Sequence, residues 1–165
     1  MRMVFIGVFA VNVVATLVSL AVLPDRIAIH FGVNGLADGW APSSVNALLM
    51  TGVNVVLFCS LFFAHRVVGR VPGWCISLPN KDYWLGATNR GRAVTKIRDF
   101  LWRFGIATFL FLFIVSLLSI QANLAEPVRL DLRIFLSALA AFLGYTIWWT
   151  IRFYRAFRVS ECVDQ

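Results

Sequence analysis

The sequence predicts an all-α polytopic membrane protein. Its four-transmembrane-helix bundle should carry an ordered loop on one face and an amphipathic loop on the other. Three observations lead there. Hydrophobic residues make up 60% of the 165 residues and charged residues only 14%, too little polar side chain to cover a water-soluble domain. Apolar runs at about 3–23, 45–64, 104–124 and 134–151 each have roughly the 17–25 residues a helix needs to cross a hydrocarbon core. No ionised side chain stands in the middle of any run, so each can satisfy its backbone within lipid as a helix. Residues 1–165 read as a single integral membrane domain.

The first run ends at Pro24, and no small-residue cleavage pattern precedes that point, so it is read as a span and not as a signal peptide. It is followed by LPDRIAIHFGVNGLADGW, Leu23 to Trp40, a stretch far more polar than its flanks. Ile27, Ile29 and Phe31 alternate with Arg26, Ala28 and His30, which predicts a short extended piece. Asn34-Gly35 and Asp38-Gly39 predict turns, and Trp40 is expected to anchor the exit at headgroup depth. The rest of the loop is expected to be irregular, held by a pairing of His30 with Asp38 or by their bonds to its backbone. Loss of His30 should then cost about 1–3 kcal/mol, as for a buried bond.

Pro42-Ser43-Ser44 offers a start and a serine cap to the second span. The segment 66–99 mixes Val67, Val68, Ile76 and Leu78 with Arg66 and Arg70, the composition of a segment lying in a membrane interface. Within it, PNKDYWL (Pro79 to Leu85) joins a turn to paired charges and aromatics. Trp74 and Trp84 are expected at headgroup depth. Thr88 is expected to cap a helix that runs into the third span, with Asp99 pairing Lys96 and Arg103 along one face. Glu126-Pro127 ends that span and 134–151 forms the last.

Polar residues within the spans fall on single faces: Asn12, Thr16 and Ser19; Asn46 and Asn54; Ser116, Ser119 and Asn123. Such stripes are expected to join helices by hydrogen bonds, the alternative being a polar-lined cavity. The net charge of +7 is a matter of topology. Twelve of the 15 Lys and Arg residues (eight from Arg66 to Arg103, with Arg2, Arg152, Arg155 and Arg158) fall on one side, and Arg26, Arg129 and Arg133 on the other. Lys and Arg concentrate on the cytoplasmic side, so both termini are expected there and nucleic acid is not an expected partner. Cys59, Cys75 and Cys162 form no CxxC pair and are read as reduced thiols.

The run Pro24, Ile27, His30-Phe31, Asn34-Gly35, Asp38-Gly39, Trp40 resembles DUF1648, a domain of bacterial membrane proteins that includes the N-terminal part of SdpI-like immunity proteins. PNKDYWL is similar to a segment of stand-alone DUF1648 proteins, which extends the resemblance over about residues 1–124. The resemblance implies a multi-pass protein of the bacterial cytoplasmic membrane. The expected function is non-enzymatic: an immunity- or stress-related recognition module that binds a peptide, lipid or membrane-protein partner through residues 24–40. The candidate binding residues are His30, Phe31, Asn34, Gly35, Asp38 and Trp40, with Asn80, Lys81, Asp82, Tyr83 and Trp84 in the second motif. No cofactor or metal is expected, the lipid bilayer is the expected environment, and a homo-oligomer is compatible with the sequence. The alternative is a membrane enzyme or metal site built on His30 and Asp38.

Overall fold

The structure is a computed structural model; it describes residues 1–70 and 72–159, the side chains of His65 and Trp74 excepted. Cys162 lies outside the described residues. Four helices are long and apolar enough to cross a membrane: α1 (Arg2–Val22), α2 (Ser43–Arg70), α4 (Arg90–Leu124) and α5 (Leu132–Ala156). Between α1 and α2 lie the strands β1 (Arg26–Phe31) and β2 (Ala37–Pro42), and the five-residue helix α3 (Lys81–Leu85) precedes α4. The fold is thus helical as expected, but the polar loop after α1 is a β-hairpin and not an irregular turn.

Helix α4 has 35 residues, about 52 Å at 1.5 Å per residue, and so outruns a hydrocarbon core of about 30 Å. Its first third, 90–103, carries the charges and continues the span without a break, as the sequence predicts. Its cap is Asn89 and not Thr88; the Asn89 side chain accepts from no helix N–H and donates instead to the Tyr83 carbonyl (3.2 Å). Asp99 does not pair Lys96 or Arg103; its partner is the neighbouring Arg98, at 3.9 Å. At the start of α5, Asp131 accepts from the backbone N–H groups of Arg133 (3.0 Å) and Ile134 (3.2 Å), satisfying two of the orphan donors of a helix N-terminus.

Helices α1, α2 and α4 pack on one another, and α5 packs on α4. Lipid tails are as apolar as Leu, so helices in a bilayer associate through close van der Waals fit. Here the fit is aromatic. Phe5 is fully buried, with ring centroids 5.0 Å from Trp102, 5.3 Å from Phe58 and 5.4 Å from Phe109. The ring lies over Gly105 of α4, where a Cβ would come within 2.5 Å of Phe5 Cε2. Asn12 of α1 reaches across the same interface to donate to the Phe109 carbonyl at 2.9 Å, as its polar stripe predicted. Helix α5 joins by stacking Phe142 on Phe111 (4.7 Å) and by a Trp149 Nε1 bond to the Phe100 carbonyl (3.0 Å).

A second small core lies at the far end of the bundle from the hairpin: Trp84, Ala93, Ile97 and Phe157. Trp84 is buried there, packed among protein side chains. Its Nε1 donates to the Phe157 carbonyl at 2.9 Å, Asn80 Nδ2 donates to the same oxygen at 3.2 Å, and Lys96 Nζ donates to the Ala156 carbonyl at 3.0 Å. The Lys96 ammonium also sits 4.2 Å from the centre of a Trp84 ring. PNKDYWL is therefore a clamp on the C-terminus of α5, where carbonyls lack intrahelical partners and a cation is favourable. Asn80 holds the left-handed backbone that turns the chain into α3 (φ 51°), a conformation asparagine tolerates.

Gly105→Ala is expected to lower stability by about 1–3 kcal/mol through overpacking against Phe5. Gly144→Ala on α5, where an added Cβ meets nothing within 4 Å, should leave it unchanged. The midpoints of thermal unfolding of both variants in a mild detergent check this, and equal midpoints would refute the close α1–α4 fit.

Candidate functional site

The hairpin is built against one end of the bundle. Its strands pair antiparallel, with Arg26 opposite Pro42, Ile27 opposite Ala41 and Ala28 opposite Trp40, and the register shifts on either side of His30. The turn closes through Gly32 N–H to the Leu36 carbonyl (2.9 Å), Gly35 N–H to the Gly32 carbonyl (2.8 Å) and Leu36 N–H to Asn34 Oδ1 (3.0 Å). Gly35 takes a positive φ of 78°, and a Cβ there would lie 2.6 Å from the Leu130 carbonyl oxygen. The expected Asn34-Gly35 turn is present. Asp38-Gly39 is not a turn: both residues lie in β2, and Gly39 is needed because a Cβ would meet His30 Cβ at 2.8 Å.

Two contacts dock the hairpin. Leu130 N–H donates to the Gly35 carbonyl at 2.8 Å, which ties the turn to the α4–α5 connection. Asn123, near the end of α4 and only 7% exposed, turns both ends of its amide on Ala28. Its Oδ1 accepts from Ala28 N–H at 2.7 Å and its Nδ2 donates to the Ala28 carbonyl at 3.0 Å. The carbonyl oxygen and one of the two N–H groups of a primary amide lie in the arrangement of a peptide group, so Asn123 pairs Ala28 as a neighbouring strand residue would. The residue was legible only as the end of a polar stripe; its partner was not.

His30 Nδ1 pairs with Asp38 Oδ1 across the strands, as the sequence predicted. Both side chains are largely in solvent, at 72% and 52% exposure, so the expected cost of losing a buried bond is corrected to that of a surface pair, about 0–1 kcal/mol. Phe31 is half-buried, and Asn34 and Trp40 are exposed. Asn80, Lys81, Asp82, Tyr83 and Trp84 belong to the clamp at the other end of the bundle, so the two sets of candidate residues do not form one site. Among the described residues no three His, Cys, Asp or Glu side chains come together in a way that could hold a metal ion.

Beneath the hairpin lies a cavity of about 300 Å³, roofed by Ile29, His30 and Phe31. Its walls come from α1 (Thr16, Ser19), α2 (Asn46, Met50), α4 (Ser116, Ser119) and the start of α5 (Leu132, Phe135). The polar stripes therefore divide the two roles weighed from the sequence. Asn12 and Asn123 join elements, and the remaining members other than Asn54 converge on the cavity. Asn54 donates to the Met50 carbonyl of its own helix at 2.8 Å. Helical spacing on separate helices does not reveal which faces meet, so the convergence is not legible in the sequence.

The fold and this site define a class: a four-helix, membrane-type bundle whose first helical hairpin is interrupted by a β-hairpin lid over an internal cavity. Residues 7–55 match the model of the family described as domain of unknown function DUF1648, which is most of α1, the whole β-hairpin and the first half of α2. The match carries the hairpin motif and ends before PNKDYWL. No curated protein and no solved structure matches the chain.

Asn123→Ala is expected to leave both polar groups of the buried Ala28 unsatisfied and to destabilise hairpin docking by about 2–5 kcal/mol, whereas His30→Ala stays within about 1 kcal/mol. Amide hydrogen exchange over residues 26–42 measures both. Equal protection loss in the two variants would refute the assignment of docking to Asn123.

Proposed function

We propose that the protein is a non-enzymatic recognition module of the bacterial cytoplasmic membrane that binds an apolar, membrane-derived ligand beneath its hairpin. The observation that carries this reading is the convergence of three helix stripes on one cavity roofed by Ile29, His30 and Phe31. Small-molecule sites are concave and mostly apolar, with a few placed polar groups, and this cavity has that character. The twelve-to-three division of basic residues supports an orientation with the hairpin outside and both termini in the cytoplasm. A role in immunity or stress rests on the resemblance to SdpI-like proteins.

A second reading has one observation in its favour. The Asp38 carboxylate holds His30 Nδ1, the orientation a general base requires, and His30 is among the residues over the cavity. Catalysis would need a reacting group within hydrogen-bond reach of Nε2. Among the described residues, the contact at Nδ1 is the imidazole's hydrogen bond, so binding is the better supported function.

Two measurements test the proposal. In intact cells a membrane-impermeant maleimide should label Val33→Cys, which is fully exposed at the hairpin tip. The native Cys75 should react only after permeabilisation, and the reverse pattern overturns the orientation. Native mass spectrometry of the protein extracted in mild detergent should show a bound lipid- or peptide-mass species that Ile29→Lys removes. Folded wild-type protein without such a species overturns the binding reading.

A further inference from the structure

The cavity is unequal in what it offers a ligand. Thr16 donates its hydroxyl to the Asn12 carbonyl (3.1 Å) and Ser19 to the Thr16 carbonyl (2.7 Å), so both present only lone pairs. Ser116, Ser119 and Asn46 line the same space, and among the described residues their side chains make no hydrogen bond. Serine hydroxyls on helices usually bond back to the preceding turn; here two do not. The cavity thus has hydroxyl and amide N–H groups to spare. An oxygen acceptor complements those donors.

The mouth adds charge. Leu130 and Leu132 line both the cavity and an adjoining surface depression, whose other members are Arg129, Asp131 and Arg133. Neither arginine forms an ion pair among the described residues. The acid between them is engaged, because Asp131 Oδ1 caps α5. Guanidinium forks match the oxygens of a phosphate. At about 300 Å³ the cavity stands at the lower end of ligand sites, which span about 300–1,000 Å³, room for one chain and not two.

We infer that the cavity takes a single acyl chain of a phosphate-bearing ester lipid, with its ester carbonyl on Ser116, Ser119 and Asn46 and its phosphate on Arg129 and Arg133. This rests on the binding reading above and adds the ligand's chemistry. The hairpin is then a lid on a lipid anchored from both sides, and Ile29 and Phe31 are its contacts with the chain.

The test is photo-crosslinking in phosphatidylethanolamine vesicles with a lysophosphatidylethanolamine bearing a diazirine on its chain, mapped by peptide mass spectrometry. Crosslinks are expected on Met50, Val115 or Phe135 in the cavity, above the background on Ile147 and Ile151 of the outer face of α5. The ether-linked analogue, which lacks the carbonyl, should label the cavity about fivefold less, and the double variant R129Q/R133Q about tenfold less. Ala15→Phe fills the cavity and should abolish its labelling while the outer-face background persists; where that variant fails to fold, Ser119→Leu fills it from the opposite wall. Equal cavity labelling by the ester, the ether and a monoacylglycerol without phosphate, insensitive to R129Q/R133Q, would overturn the headgroup assignment and leave apolar binding standing. Crosslinks confined to Ile147 and Ile151 would overturn both.

Discussion

The hairpin end of the molecule depends on one side chain recognising one peptide group. Ala28 is fully buried, and a buried backbone N–H and C=O must find partners. In a two-stranded ribbon each strand has one paired edge and one open edge. The open edge of β1 faces α4, where no strand exists to receive it. Asn123 supplies the missing partner from a helix, with two bonds directed to Ala28. A third bond from Asn123 Nδ2, to the Ser119 carbonyl at 3.0 Å, fixes the amide on its own helix. An isolated two-stranded hairpin is marginal in water; this one gains a pseudo-strand on its open edge and the Gly35–Leu130 contact at its turn.

The opposite end solves the mirror-image problem by the same means. There the unsatisfied groups are the last carbonyls of α5, and the donors are side chains from a separate segment: Asn80, Trp84 and Lys96. Both motifs that stood out in the sequence therefore serve backbone groups that a helix or sheet would leave without partners. They differ in what they leave over. The clamp spends the side-chain donors of Asn80 and Trp84 on one carbonyl and buries its tryptophan. The hairpin satisfies its backbone through a residue outside the motif, which leaves His30, Asp38 and Trp40 toward solvent and Ile29, His30 and Phe31 over a cavity.

Between the ends, packing is carried by rings and not by charge. Phe5 stands at the centre of a group from three helices, with Gly105 beneath it to let α4 approach. Aromatic pairs at centroid separations of 4.5–7 Å contribute beyond their area, an advantage where burial from water supplies no drive. Helix α5, packed on α4 and clamped at its C-terminus by Asn80 and Trp84, has no buried residue along its length, and its apolar faces fit a lipid environment.

The sequence by itself determined the elements that depend on composition along the chain: four apolar helices, the extension of the third span into a charged helix, the Asn34-Gly35 turn and the His30–Asp38 pairing eight residues apart. Each follows from local chemistry, because hydrophobic length, backbone propensity and short loop closure are settled within a few turns of chain. Only the tertiary structure decided the rest. Asp38-Gly39 reads as a turn, yet it pairs as a strand because its partner, β1, is fixed from outside by Asn123. Trp84 reads as an interface anchor, yet it is buried because the carbonyl it serves belongs to Phe157, 73 residues away. The cavity is not written in any one segment, since polar stripes on three helices meet only when packing about Phe5 sets the rotation of each helix. Side-chain type and spacing are local properties, whereas partnership depends on which surfaces close packing brings together.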